Sequence, residues 1–189
     1  MADPSLPQET EVKFRVEDRA ALEARLAALG AAAGEAEEED NLLLDDASRS
    51  LLSRGMALRV RTVGGRGLLT LKGPKEVREG VKTRLELETE VSDPARLVEA
   101  LALLGYSKSF RYEKRRTTWC FADPSRPIVV VDETPLGLFA EVEGDEAAVR
   151  ALAAELGVPP SGFIPESYVG LYLAARAADP SLPSDMVFR

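Results

Sequence analysis

Histidine is missing from all 189 residues. That absence removes the Ser-His-Asp and Cys-His mechanisms, imidazole general bases and every His-ligated metal site. Cysteine occurs once, at Cys120, so there is no intramolecular disulfide and no Cys-rich zinc site. A metal here must be held by oxygen, which points to Mg2+, Mn2+ or Ca2+. No apolar run is long enough to span a bilayer, and the opening MADPSLPQ lacks the apolar core of a secretory signal. The expectation is a cytoplasmic protein with no membrane partner. Basic residues are the minority, 24 against 32 acidic, for a net charge of −8. A general nucleic-acid surface needs a basic field, so none is expected, although a locally basic cleft remains open.

What is present is a chain 45% hydrophobic and 30% charged, long enough for one domain with a real core. ETEVKFRV (9–16) alternates Glu9, Glu11 and Lys13 with Val12, Phe14 and Val16, a strand signature. The same period recurs in MALRVRTV (56–63), in VKTRLELETEV (81–91) and along SKSFRYEKRRTTWCF (107–121). A shorter strand is expected around Leu42–Leu44. GGRG (64–67) and DPSRP (123–127) read as turns. EDRAALEARLAALG and SDPARLVEALALLG read as amphipathic helices that stop at Gly30 and Gly105, the second with an Asp93-Pro94 start. Three times a strand with Glu-x-Glu runs into a helix ending in Leu-Gly. About eight strands, four longer helices and short turns predict an α+β fold, a largely antiparallel sheet with helices outside. ADPSLP occurs at both 2–7 and 178–183.

Opposite the apolar strand faces lie the acids Glu9, Glu11, Glu86, Glu88, Asp132, Glu141 and Glu143, and the bases Lys13, Arg59, Arg61, Lys72, Arg84, Lys114 and Arg116. On any one strand these make a solvated face. Taken together they are too uniformly charged and too sorted for that. The helices need the apolar face, so the charged one looks to water or into a barrel. A barrel of about eight strands has room for side chains or one small ligand. Buried charges there either pair into an ionic core or await guests of both signs. Carboxylates attract divalent cations, and arginines grip phosphate bidentately.

Glu9-x-Glu11-x-Lys13 resembles the ExExK signature of the CYTH superfamily, which includes triphosphate tunnel metalloenzymes, class IV adenylyl cyclases and thiamine triphosphatases. LRVR, LTLKGP, RLELE, EKRR, VVVDETPLGLFAEVEG and ESYVGLY extend the resemblance in order to about residue 173. The resemblance implies an eight-stranded antiparallel β-barrel, a tunnel that binds a triphosphate-containing small molecule with Mg2+ or Mn2+. It implies Glu9, Glu11, Glu88, Asp132, Glu141 and Glu143 as metal ligands. It implies Lys13, Arg59, Arg61, Lys72, Arg84, Lys114 and Arg116 as a phosphate cradle, with Lys13 or Lys114 also the contact for the attacking water.

Within the family, thiamine triphosphatases place an aromatic residue where this chain has Ala57, and class IV cyclases often carry a His-Phe pair that a histidine-free chain lacks. No CHAD segment is expected after the domain. The expectation is therefore a small stand-alone inorganic triphosphatase, cleaving tripolyphosphate to pyrophosphate and phosphate, as a monomer or homodimer. The alternatives are a class IV-type cyclase, a thiamine or nucleoside triphosphatase, and a non-catalytic polyphosphate-binding module. GGRG is no P-loop, because no Lys-Ser or Lys-Thr follows it at the required spacing. Trp119 and Tyr112 read as packing residues, Cys120 as a small buried hydrophobe, and EAEEED (35–40) as a solvated edge. One domain is expected over 1–189, its core from about 9 to 177, with flexible tails at 1–7 and 179–189.

Overall fold

The period-two stretches all become strands in the computed structural model, which describes residues 6–189. The strands are β1 (Gln8–Arg15), β2 (Ala31–Asp45), β3 (Ala57–Val63), β4 (Arg66–Arg78), β5 (Val81–Val91), β6 (Ser107–Phe121), β7 (Ile128–Thr134) and β8 (Gly137–Glu143). The helices are α1 (Arg19–Ala28), α2 (Ser50–Ser53), α3 (Pro94–Leu103), α4 (Glu146–Glu155) and α5 (Tyr168–Ala178). Asp18 and Asp93 cap α1 and α3 by accepting from backbone N–H groups. Gly30 and Gly105 end them at φ of +88° and +92°, a conformation that side chains with a Cβ resist.

All strand pairs are antiparallel, in the order β1-β5-β4-β3-β2-β6-β7-β8, and β8 closes back onto β1. The expected eight-stranded barrel is the observed fold. Its apolar outer face is covered on the β1-β8-β7 side by α1 and α4. Val12, Phe14, Leu22, Leu26, Val129, Val131, Val142, Val149 and Leu152 form that core, and Trp119 belongs to it.

Three local expectations change. The strand foreseen around Leu42–Leu44 spans Ala31–Asp45, because fifteen-residue β6 pairs with it from Ala31 to Asp45. Tertiary pairing thus overrides the weak strand preference of GEAEEE. Cys120 is exposed rather than buried: its neighbour Trp119 takes the packed side of β6, and alternation puts Cys120 on the other. The C-terminal tail is not loose. β7 pairs with β6 only from Arg115 onward, which leaves the start of β6 without a strand on that side. The tail fills the gap: Met186 N donates to Arg111 O at 3.0 Å, and Glu113 N donates to Met186 O at 2.9 Å. The Tyr172 hydroxyl donates to the carbonyls of Pro183 and Asp185, each at 3.1 Å. Of the expected N-terminal tail, residues 1–5 lie outside the described residues, and Pro7 O already accepts from Glu86 N.

These contacts seal one end of the barrel. Phe110 and Tyr112 share a strand face with Lys114 and Arg116, and Phe139 shares one with Glu141. At that end the lining turns apolar, and Tyr168, Tyr172 and Met186 pack into it. Of the two ADPSLP copies, residues 2–5 of the first lie outside the described residues, and the second forms a local turn. The Asp179 carboxylate accepts from both Ser181 N and Ser181 Oγ, and Asp123 does the same with Ser125, so Asp-Pro-Ser is a self-capped turn.

Candidate active site

The charged strand faces meet inside the barrel. Eight carboxylates (Glu9, Glu11, Glu39, Glu86, Glu88, Asp132, Glu141 and Glu143) share the interior with eight cations (Lys13, Arg59, Arg61, Lys72, Lys82, Arg84, Lys114 and Arg116). Several pairs reach past the adjacent strand, such as Arg61 to Glu88 at 2.7 Å and Arg116 to Glu141 at 2.6 Å, which only a shared lumen permits.

The acids cluster on β1 and β8. Register places Glu11 directly opposite Glu143, and Glu9 lies two residues earlier on the same strand face. Each of the three offers an oxygen within 4.8 Å of the others. Like charges so placed repel, and a bound proton, a lysine or a metal ion each relieves that repulsion. Burial, reinforced by Glu141, Glu9 and Glu11 against the pull of Arg116, pushes the Glu143 carboxyl up to about 7. Burial likewise raises Glu9 and Glu11. Three oxygen donors at this spacing are a hard-cation set of the kind Mg2+ or Mn2+ takes.

Most cations are anchored by other acids. Arg116 binds Asp132 through two nitrogens, each at 2.7 Å, and Lys114 lies 3.1 Å from the same carboxylate. Lys13 lies 3.1 Å from Glu141 and donates to Glu166 O at 3.1 Å. Arg61 bridges Glu39 at 3.0 Å and Glu88 at 2.7 Å. Lys72 bonds to Glu9 at 3.0 Å, and Arg84 donates twice to Gly73 O. Arg59 donates to the Tyr112 hydroxyl at 3.3 Å and to Thr70 Oγ1 at 3.2 Å. Nevertheless, Nε of Arg59 and Nε of Arg61 are buried with no acceptor among the described residues. Orphaned guanidinium donors inside a barrel are costly unless an anion comes to them.

The plug contributes too. Tyr168 begins α5, and its hydroxyl donates to Asp132 at 2.8 Å while its ring lies 4.1 Å beneath the Lys13 ammonium. Burial, with Glu141 and Asp132 close by, raises that hydroxyl well above its ordinary range, so it stays a donor.

All the residues named as metal ligands and phosphate contacts thus line one interior. Within it, Glu9, Glu11 and Glu143 converge, while Glu88, Asp132 and Glu141 are spent on cations. Sequence reasoning missed Glu39 and Lys82 and left Glu86 without a role. EAEEED is a solvated edge except at Glu39, which is 3% exposed. Burial pulls Glu39 up, but Lys114, Arg116 and Arg61 outweigh it and hold the carboxyl at about 2. Tyr112 packs as expected, and its hydroxyl also accepts from Arg59. The signal for Lys82 was its period-two spacing with Arg84. For Glu39 there was none, because its partner Lys114 is set by the register of β2 against β6.

A closed antiparallel barrel with an ionic lumen and one plugged end defines the class of protein. The chain belongs to the CYTH family: the CYTH domain matches residues 7–168. A Methanocaldococcus jannaschii protein provisionally named an adenylate cyclase is 27% identical over 135 residues, 71% of this chain and 75% of its own. Among solved structures, a Vibrio parahaemolyticus protein given the same provisional name superposes with a TM-score of 0.76 at 22% identity, covering 87% of this chain and 97% of that one. A Hippeastrum protein described as a provisional adenylyl cyclase with a dominant triphosphatase activity superposes at 0.64 with 20% identity, over 88% and 96% of the two chains. At these identities the structural likenesses establish the fold. Among the described residues no helix is long and apolar enough to cross a membrane.

Proposed function

We propose that this chain hydrolyses triphosphates with the help of a divalent cation, cleaving inorganic tripolyphosphate to pyrophosphate and phosphate. The observation that carries the reading is the convergence of Glu9, Glu11 and Glu143 in a lumen shared with two arginines whose Nε donors lack acceptors among the described residues. The three carboxylates would hold Mg2+ or Mn2+, which when bound supplies charge neutralisation and activates water. The polyanion would lie along Lys72 and along Arg59, Arg61, Arg84 and Arg116, whose guanidinium forks match phosphate oxygens. Lys13 and Lys114, held over the Tyr168 ring, would face the transferring phosphoryl and the attacking water. Positioning and charge stabilisation carry this chemistry, so it needs no histidine. In this reading Glu88, Asp132 and Glu141 orient the cations rather than bind metal.

The Hippeastrum protein's triphosphatase activity supports hydrolysis. The names of the other relatives support a second reading, cyclisation of ATP. Both are tested by incubating the protein with tripolyphosphate, pyrophosphate, ATP and thiamine triphosphate, each with Mg2+ and Mn2+, while measuring phosphate release and cyclic nucleotide. Phosphate release should be fastest from tripolyphosphate. Cyclic AMP as the main product from ATP would establish the second reading, and tight binding without turnover would leave a polyphosphate-binding module.

A further inference from the structure

Register gives Glu11 a different neighbour on each side: Glu143 across β8 and Lys82 across β5. Lys82 is 8% exposed and Glu11 3% exposed, and the ammonium is bonded to the carboxylate. Among the described residues Glu11 is its sole hydrogen-bond and ion-pair partner. Lys72 behaves differently, because Glu9 shares it with Glu86. An ammonium placed on one carboxylate of three convergent ones does what a divalent ion would do there. It neutralises the site and competes for the same oxygens.

We infer that Lys82 is the resident counter-ion of this acidic pocket, holding Glu11 where a divalent cation would take it and so setting how tightly that cation binds. The inference rests on the reading of Glu9, Glu11 and Glu143 as a metal site. A cation that takes the Glu11 oxygen bonded to Lys82 displaces the ammonium, and one on the other oxygen still meets its repulsion. The released ammonium remains in the lumen, beside Glu141 and facing whatever polyanion enters. Metal and polyanion therefore assist each other: the first frees a cation that the second can use.

The test is Mn2+ titration by calorimetry, without polyphosphate, at pH 8.5, where protons compete little for the carboxylates. Lys82→Met should bind Mn2+ at least about tenfold tighter than wild type. Lys82→Gln, which keeps a hydrogen-bond donor but no charge, should do the same and guards against a Met variant that folds poorly. Lys82→Arg should not bind more tightly than wild type. Repeating the titration with a non-hydrolysable imido analogue of tripolyphosphate present should raise Mn2+ affinity more in wild type than in Lys82→Met. Wild-type Mn2+ affinity in both neutral variants, or equal enhancement by the analogue, would overturn the inference while leaving the metal site standing. Wild-type binding untouched by Glu11→Gln would remove the metal reading itself, and Lys82's role with it.

Discussion

Glu143→Gln should stabilise the metal-free protein, which is the reverse of what most buried substitutions do. The Glu143 carboxyl ordinarily titrates near 4.5 and is held to about 7 in the fold. Between those values the unfolded chain has released this proton and the folded chain still binds it. Stability therefore falls as pH rises across that window, and the deficit is complete above about 7. The gap corresponds to about 3 kcal/mol at most. Glu143 is 18% exposed, so solvent reduces the expected gain to about 1–3 kcal/mol. Gln keeps the shape and ends the repulsion. For a chain of this length the melting temperature should rise by about 2–10 °C at pH 8.5 and hardly change at pH 4. Saturating Mn2+ should invert the order, since a ligand present at about a thousand times its Kd adds about 4.1 kcal/mol to a protein that binds it and nothing to one that does not. The assay is calorimetric or fluorimetric melting of both proteins across pH, with and without Mn2+. A variant less stable than wild type at both pH values would refute the reasoning, because it would make Glu143 a structural member of an ionic core.

Arg61→Lys keeps a cation between Glu39 and Glu88 but loses the fork, so tripolyphosphate kcat/KM should fall about tenfold, about 1.4 kcal/mol, with little change in melting temperature; unchanged kinetics would remove Arg61 from the phosphate path. Arg59→Ala should cost at least as much, and more for tripolyphosphate than for pyrophosphate, because the longer anion reaches more of the cradle. Deleting residues 179–189 strips Met186, fully buried, from the plug and should destabilise the protein by about 2–3 kcal/mol; a truncated chain melting at the wild-type temperature would show that the tail seals nothing.

The barrel was legible because its lining is charged. A period of two in apolar residues says only that one strand face is buried, whereas the same period in Glu, Arg and Lys on strand after strand says that the polar faces meet. What stayed hidden depends on register. Glu141 and Glu143 look alike in AEVEG, yet one is clasped by Lys13 and Arg116 and the other faces Glu11. Glu39 was lost among five neighbouring acidic or small residues, although β6 brings Lys114 directly opposite it. Lys82 lay in a strand already read as charged, but its pairing with Glu11 requires knowing that β1 joins β5 rather than β2. Met186 lies with Leu182, Val187 and Phe188 in a tail read as polar, and its role as an anchor depends on a gap beside β6.

The lumen answers the choice between an ionic core and a site awaiting guests in an unequal way on its two sides. Around Asp132 the charges are finished: Arg116, Lys114 and the Tyr168 hydroxyl saturate one fully buried carboxylate, and removing any of them would leave a charge unpaid in low dielectric. Around Glu11 they are provisional: three carboxylates crowd together, one proton is held to about 7, and single lysines stand between them. Near Arg59 and Arg61 two buried donors still lack acceptors. A metal-bound polyphosphate would replace a lysine at the first of these unfinished places and supply oxygens at the second, while Arg116 and Lys114 would meet it from where Asp132 holds them. Every carboxylate and every guanidinium would keep a partner of opposite sign. A neutral or purely cationic guest would satisfy only half of that arrangement.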